Sequence, residues 1–399
     1  RRPAGVPASR RPDRVAVPPE PLQVHRTVVN LGFYNPEQDR GKVVAGVGAA
    51  LLIGGFMVLV VGVLMVASLG PMGAIVGGLV AFIPAPIYLV LYLWLDRFDP
   101  EPAWIMALAF SWGALVALLI SFVVNSLFGA AAMAMIGEET GDALSAIISA
   151  PIIEEGTKGL GVLLIWLFFK REFDDVLDGV MYAGVVALGF ATVENILYYG
   201  RNFNEQGVQG LMVVVIMRGM LAPFSHALFT SFTGIGCGLA RETHNHTLRW
   251  LLPGAGLFCA MTLHGLWNFL ATVSGGFFLV VYLVVWLPLF VGLLGLVIYL
   301  VAREGRIIRQ MLFMEVANGL ITDEHLRLSH SFFKRIGWLV TSLGSWKRFQ
   351  ARRHFLRALT KLAFCYWHVG RAQSAQTQTI SLPLLPKFRA EVRSLMHRI

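Results

Sequence analysis

The sequence predicts an all-α protein: a polytopic transmembrane helical bundle of about eight spans, followed by a cytoplasmic helical C-terminal region. Hydrophobic residues make up 56% of the 399 residues and charged residues only 14%, and the mean hydropathy is +0.65. A soluble protein of this length needs more polar residues to cover its surface. The apolar residues also gather in long runs, so we expect lipid to be the solvent for much of the molecule.

Eight apolar runs are long enough to cross a hydrocarbon layer of about 30 Å at a helical rise of about 1.5 Å per residue. They cover residues 44–68, 72–95, 103–128, 143–169, 177–199, 208–240, 251–273 and 277–302. The sixth run is interrupted by Arg218, Gly219 and Pro223. This interruption favours a short interfacial or re-entrant helix at 208–220, followed by a span from about residue 221.

Both ends of the chain are basic. Residues 1–42 hold eight Lys and Arg against four acids, and residues 303–399 hold seventeen against five. Basic segments beside apolar spans are retained in the cytoplasm near anionic lipid, which explains the charge more simply than nucleic-acid binding does. We therefore expect a multi-pass protein of the cell membrane with both termini cytoplasmic. Its parts are a disordered basic arm (1–43), a transmembrane domain (44–302) and a basic amphipathic helical region (303–399).

Three ionisable residues lie within the fourth apolar run. Each costs about 2.5 to 3.5 kcal/mol when charged at the centre of a span, so they need partners or a watery cavity. Glu154 and Lys158 are four residues apart on one helical face and are expected to form an ion pair. On a helix, Glu155 points about 100° away from Glu154, so it is not needed for this ion pair and can have another role. The alternative is a purely structural polar clasp.

The next three spans carry further polar groups. Glu194 and Asn195 are adjacent in the fifth, His226 lies in the sixth, and His264 and Asn268 are one helical turn apart in the seventh. A single histidine within a membrane is more often a packing residue. Carboxylates, imidazoles and carboxamides on consecutive spans are instead the groups that activate water, hold a metal or stabilise an oxyanion. The predicted topology places them near the midplane or in the outer half, so that one shared site is possible.

Several other chemistries are not indicated. The sequence has no His-Glu-x-x-His helix, and its aspartates lie near span ends or in the tails. Its three cysteines, Cys237, Cys259 and Cys365, have no repeated spacing, which argues against a disulfide framework or a thiolate metal cluster.

In these motifs the sequence resembles the PrsW family of intramembrane proteases, which is related to the CAAX prenyl endopeptidase superfamily. The resemblance covers roughly residues 44–302 and implies cleavage of a membrane-anchored substrate. That substrate is expected to be a single-span protein, with anti-sigma factors as the best-known class. The matching elements are Glu154-Glu155-x-x-Lys158, Phe190-x-x-x-Glu194-Asn195, His226, His264-x-x-x-Asn268 and the turn from Asp96 to Pro102.

Two mechanisms remain open at this point. In the first, which we favour slightly, a glutamate of the fourth span is the general base, a histidine assists it, and Asn268 or Asn195 stabilises the oxyanion. In the second, Zn²⁺ is held by His226, His264 and a glutamate, for which Glu194 is the candidate. In either case the predicted topology places the cut near the extracytoplasmic side.

Two other functions are considered. Buried glutamates and histidines also form the proton relays of ion-coupled transporters. Against a transporter stands the lack of an internal sequence repeat. A membrane scaffold that docks a partner through its basic C-terminal region is the third possibility.

Overall fold

The computed structural model describes residues 36–170, 172–377, 379 and 381–399. Within these ranges the chain forms helices joined by short turns and contains no strand, which confirms the predicted all-α class. The chain divides into two compact units, residues 1–53 and 54–399. Of the predicted arm, residues 1–35 lie outside the described residues and residues 36–43 are helical. The sections below concern the second unit.

The helices of the first half are α1 (Pro36–Phe82), α2 (Ala85–Leu95), α3 (Ala103–Ser111), α4 (Leu118–Ile136), α5 (Glu138–Leu144), α6 (Ala150–Phe168) and α7 (Val176–Val214). Those of the second half are α8 (Ser225–Glu242), α9 (His246–Val273), α10 (Phe278–Val281), α11 (Leu287–Ala317), α12 (Asp323–His330), α13 (Phe332–Val340), α14 (Trp346–Ser374) and α15 (Leu385–Met396). Short π-helical turns at Trp112–Ala117, Ser145–Ser149, Val215–Leu221 and Tyr282–Trp286 connect several of them.

Within the described residues, five helical stretches are long and apolar enough to cross a membrane. They are Leu51–Leu95, Ala103–Ile136, Val176–Glu242, His246–Val273 and Gly275–Ala317. The first contains most of the first predicted span and all of the second, and the third contains the fifth and sixth. The fourth predicted span is helical as α5 and α6, but its three ionisable residues make it less apolar. The chain is therefore a polytopic helical membrane protein.

Two glycines with positive φ bend the long helices. Gly70 has φ 69°, between the first two predicted spans, and Gly207 has φ 63° within α7. Residues with a Cβ adopt this conformation only at a cost, so glycine allows the chain to turn there. After Gly207 the helix continues to Leu221 and stops before α8. This 208–224 segment contains the short helix that was predicted at 208–220, followed by the predicted break near Pro223.

Helix α7 packs closely against α8 because small residues face each other. A Cβ built on Gly179 would lie 2.1 Å from the backbone oxygen of Gly234. Glycine lets two helix backbones approach until they touch, which favours packing within a membrane. This contact fixes the relative positions of α7 and α8, and with them the positions of the polar residues that the two helices carry.

The C-terminal region, predicted to be a basic amphipathic helical region, is helical and packs against the rest of the chain. Phe355, Leu359 and Leu362 of α14 are buried in one hydrophobic core with Phe98 and Val176. Phe98 belongs to the turn that follows α2, and Val176 is the first residue of α7. The apolar face of an amphipathic helix can be buried in protein as well as in lipid, and the sequence pattern does not distinguish the two.

Candidate functional site

Helices α6, α7, α8 and α9 bring Glu154, Glu194, His226 and His264 together. The four helices meet at one end of the bundle, where Arg241 of α8 donates hydrogen bonds to the backbone oxygens of Trp166 and Phe173. The four site residues lie 14 to 18 residues from the helix ends at that side. At helical rise this is about 21 to 27 Å, so the four side chains have nearly the same depth.

Glu155 and Lys158 form a fully buried ion pair, with both side chains 0% exposed. Glu155 Oε1 lies 2.6 Å from Lys158 Nζ and 3.0 Å from His264 Nδ1, and Oε2 accepts a 2.8 Å hydrogen bond from Thr230. Lys158 Nζ also lies 3.2 Å from His226 Nδ1 and 4.4 Å from the centre of the Phe190 ring. Each side of this pair is therefore compensated by several partners.

Glu154 forms the expected ion pair with Lys158, but it is held much less tightly than Glu155. Its Oε2 lies 3.8 Å from Lys158 Nζ, farther than Glu155 does, and 4.0 Å from His264 Nε2. This oxygen has no hydrogen-bond partner among the described residues. Residues three apart on a helix share a face as well as residues four apart do, and the flexible lysine selects Glu155. Glu154, not Glu155, is thus the free carboxylate.

Arg218, in the 208–224 segment, is a site residue that sequence analysis missed. It forms an ion pair with Glu194 Oε2, and its Nε donates a 2.9 Å hydrogen bond to Asn195 Oδ1. His226 Nε2 lies 3.0 Å from the same glutamate oxygen, and the guanidinium lies 3.7 Å from the Tyr198 ring centre. The only signal was an arginine within an apolar run, which we interpreted as a break in a span.

His264 and Asn268 line one side of the site, as their spacing predicted. The His264 ring stacks on Phe229 with centroids 5.1 Å apart. Asn268 Nδ2 donates a 2.7 Å hydrogen bond to the backbone oxygen of Ala146. Because Asn268 has two N–H groups, the second is available to a ligand.

These residues surround a cavity of about 390 Å³. Its aromatic walls include Trp267 and Tyr282. The acidic, basic and carboxamide side chains of the lining are Glu154, Glu194, Asn195, Arg218, His226, His264 and Asn268. Glu155 and Lys158 lie behind this lining. The cavity therefore collects every predicted catalytic residue except Glu155.

The residues that could hold a metal differ from the predicted set in one member. Ligand atoms of Glu154, His226 and His264 all lie within 4.8 Å of one another. We expected Glu194 in place of Glu154, but Glu194 Oε2 is occupied by Arg218 and His226. One carboxylate and two imidazoles form a donor set known from catalytic zinc sites. The unpartnered Oε2 of Glu154 fits such a ligand, so the residues present are compatible with zinc.

Comparison with known proteins gives one family. A family model described as "PrsW family intramembrane metalloprotease" matches residues 101–293, which include every residue of the cavity lining. The protein named "Protease PrsW" in Oceanobacillus iheyensis is 30% identical over 207 residues, which are 50% of this chain and 85% of the relative. The protein of the same name in Geobacillus kaustophilus is 32% identical over 196 residues, 48% of this chain and 80% of the relative. No solved structure matches the chain significantly.

Proposed function

Because the chain belongs to the PrsW family of intramembrane proteases, we propose that it hydrolyses a peptide bond of a single-span membrane protein with water activated by Glu154. The observation that carries this assignment is the unpartnered Oε2 of Glu154 at the cavity wall. Glu155, which we first considered as the base, is fully enclosed by Lys158, His264 and Thr230. Family membership does not favour the transporter.

In the proposed reaction, a water molecule in the cavity gives a proton to Glu154 and attacks the carbonyl carbon of the substrate. The protonated Glu154 then gives this proton to the leaving amine, and the bond between the carbonyl carbon and the nitrogen breaks. A positioned general base typically contributes about 10² to 10⁴ in rate. A buried carboxylate surrounded by apolar walls is also a stronger base than one in water.

The negative oxygen of the tetrahedral intermediate needs hydrogen-bond donors that are already in place. Asn268 has one N–H directed to Ala146 and a second available. Asn195 accepts from Arg218 through its Oδ1, which leaves its NH₂ group as a donor at the cavity. Asn268 and Asn195 therefore take the oxyanion role in this proposal.

Two contacts behind the cavity position the histidines. Glu155 accepts from His264 Nδ1, so that Nε2 of that ring faces the cavity as an acceptor. Glu194, held by Arg218, accepts from His226 Nε2 while Lys158 donates to Nδ1. In this arrangement both rings are neutral and fixed in one tautomer each.

Zinc is the alternative activator. Glu154, His264 and His226 would hold it, and His226 would have to exchange its contact with Glu194 or Lys158 for the ion. When bound, zinc would lower the pKa of a water ligand and polarise the substrate carbonyl. About one equivalent of zinc in the purified protein, lost in His264→Ala, would support this form. Full activity of a metal-free preparation would exclude it.

The depth of the site supports a cut on the extracytoplasmic side. The site residues lie about 21 to 27 Å from the helix ends near the C-terminal region, which is beyond the middle of a hydrocarbon layer of about 30 Å. With the basic C-terminal region in the cytoplasm, as the positive-inside rule predicts, this depth lies in the outer half. Anti-sigma factors, the substrate class that the resemblance implied, are the first candidates to test.

The deciding experiment reconstitutes the chain in liposomes with a tagged single-span substrate. We expect cleavage by the wild type and loss of cleavage in Glu154→Gln, and mass spectrometry of the products should place the cut in the outer part of the substrate span. Solute flux in the same liposomes tests the transporter. Flux without cleavage would overturn the proposed function, and a cut near the cytoplasmic end would overturn the topology.

A further inference from the structure

Helix α13 and the turn after it expose an apolar face, although their other side is packed against the protein. The exposed side chains, at 42% to 84% of their full surface, are Phe333, Ile336, Val340 and Leu343. They recur every three or four residues and therefore lie along one side of the helix. On the opposite side, Arg335 is buried and donates to the backbone oxygen of Phe98. We call the exposed side the α13 face.

The α13 face begins where α2 ends. The Phe332 ring lies 5.8 Å from the ring of Trp94, the second-last residue of α2. The Arg97 guanidinium lies 4.3 Å from the centre of the Trp94 ring and 5.0 Å from that of Phe332, which ties the two elements together. Helix α2 is the last part of a stretch long and apolar enough to cross a membrane. The first turn of α13 is therefore at the level where this stretch leaves the lipid.

Exposed tryptophans mark this level on other helices as well. Trp104 lies at the start of α3 and Trp250 at the start of α9, and both are exposed, as Trp94 is. They belong to the same end of the bundle, because Trp104 packs on Phe169 after α6 and Trp250 packs on Trp166 within α6. Tryptophan is enriched where hydrocarbon meets the headgroups of a membrane. The α13 face thus lies beside a membrane–water boundary.

Basic residues flank the α13 face. Residues 331–357 contain seven Lys and Arg and no acid. Lys334 lies near the start of the face, Lys347 and Arg348 lie beyond its end, and all three are exposed. Trp346, also exposed, precedes the last two. Aromatic and aliphatic side chains on one face with basic groups beside them are typical of helices that lie in the plane of a membrane interface.

We propose that α13 and the start of α14 lie in the headgroup region of the inner leaflet, with the α13 face against the acyl chains and Lys334, Lys347 and Arg348 on anionic lipid headgroups. Lipid fits this surface better than a protein partner, because the surface continues the exposed side of α2 and carries positive charge that anionic headgroups attract. The rest of α14 is packed in the protein core. This inference does not depend on the proposed proteolysis.

A fluorophore on the α13 face tests the contact with lipid. The full-length protein with Leu343→Cys and Cys259→Ser takes an environment-sensitive label at residue 343 alone, since Cys237 and Cys365 are buried. We expect its emission to shift to the blue in vesicles, more strongly when phosphatidylglycerol is added to phosphatidylcholine, and to be quenched by lipids brominated on the acyl chains. Glu324→Cys, at an exposed position of α12, should report water in both kinds of vesicle.

Charge removal tests the contact with anionic headgroups. In the triple variant Lys334→Gln, Lys347→Gln and Arg348→Gln, half of the blue shift should require at least about fivefold more phosphatidylglycerol. The unfolding temperature in detergent should stay that of the wild type, because the three side chains are exposed. A matched control removes the same charge from exposed positions in the last residues of the chain: Lys387→Gln, Arg393→Gln and Arg398→Gln. It should respond to phosphatidylglycerol as the wild type does.

Four results would overturn the proposal. Water-like emission at residue 343 without quenching by brominated lipid would show that lipid does not cover the α13 face. Self-quenching that grows with the protein-to-lipid ratio would identify a second copy of the chain as the occupant. Equal shifts in vesicles with and without phosphatidylglycerol, or equal responses of the two triple variants, would show that the basic residues do not bind anionic lipid.

Discussion

The cavity and the acidic cluster treat buried charge in opposite ways. In the cavity region, Glu155 and Glu194 each closely contact a cation, Lys158 or Arg218, whereas the cation is farther from Glu154, whose Oε2 is buried without a hydrogen-bond partner among the described residues. The acidic cluster lies where the turns after α2 and α6 meet the C-terminal helices and consists of Asp96, Asp99, Glu101, Asp174, Asp175, Asp178 and Glu304. Among the described residues, its carboxylates form no ion pair with an arginine or lysine, and Lys361, Arg357 and Arg335 act on Asp99 only from a longer distance. Both regions are buried, so the difference lies in the supplied partners and not in solvent access.

This difference shows how a buried carboxylate without a hydrogen-bond partner can be interpreted. One free carboxylate among compensated neighbours at a cavity wall is a reactive group, since its surroundings are already neutralised. Several free carboxylates without a cavity cannot all be reactive, and their shared need is positive charge. The predictions below test this contrast, beginning with the largest expected effect.

Glu154→Gln should reduce cleavage by about 10² to 10⁴. The unfolding temperature should stay nearly unchanged, because Oε2 of Glu154 has no hydrogen bond to lose. The measurement is cleavage of the tagged substrate in liposomes, together with thermal unfolding. Glu138→Gln, at an exposed glutamate of α5, is the control. Wild-type cleavage by Glu154→Gln would place the base elsewhere.

Glu155→Gln should lose stability as well as activity, unlike Glu154→Gln. The change leaves Lys158 buried without its closest anion, and breaking a buried pair costs about 3 to 5 kcal/mol of unfolding free energy. Lys158→Met should behave similarly. The double variant should recover part of the stability because no charge of the pair remains. Equal stability of Glu155→Gln and Glu154→Gln would remove the distinction between the two glutamates.

Arg218→Met should lower cleavage by about 10- to 100-fold, because Glu194 and Asn195 lose the group that holds them. Arg218→Lys should recover only part of the rate, because an ammonium group cannot reproduce the planar fork that binds both neighbours. Initial rates at several substrate concentrations measure the effect. A methionine variant as active as the wild type would show that Arg218 has no positioning role.

The acidic cluster should show the smallest effect, as a pH dependence of stability without added cations. Burial raises the pKa of Asp175 to about 6. A raised pKa in an acid means that protonation favours the folded state, so this stability is present at pH 4 and below and is lost as pH rises through about 6. Unfolding temperatures should therefore fall over this range. A flat profile would contradict the shift.

The helical fold could be predicted from sequence because long apolar runs have few alternatives in lipid. The interruption at Arg218 and Pro223 also predicted the 208–224 segment. The packing of α14 could not be predicted, since its apolar face carries no information about whether lipid or Phe98 will cover it.

The members of the site were predictable, but their pairing was not. Acidic, basic and carboxamide groups within apolar runs identified six of the seven such residues that line the cavity. Lys158 can reach both Glu154, four residues away, and Glu155, three residues away. Which of the two it contacts more closely depends also on His264, which lies in another helix and binds Glu155. Arg218 was missed because residue spacing does not relate the 208–224 segment to α7.

The contacts of the C-terminal region also determine the order in which parts of this protein can fold during synthesis. Arg335 and Arg357 bind the turn after α2 across 237 and 257 residues of sequence. Chain segments emerge from the ribosome at about 5 to 20 residues per second, so this turn waits at least about ten seconds for its partners. During that interval its acids are exposed to solvent, and the last hundred residues close the junction only when synthesis ends.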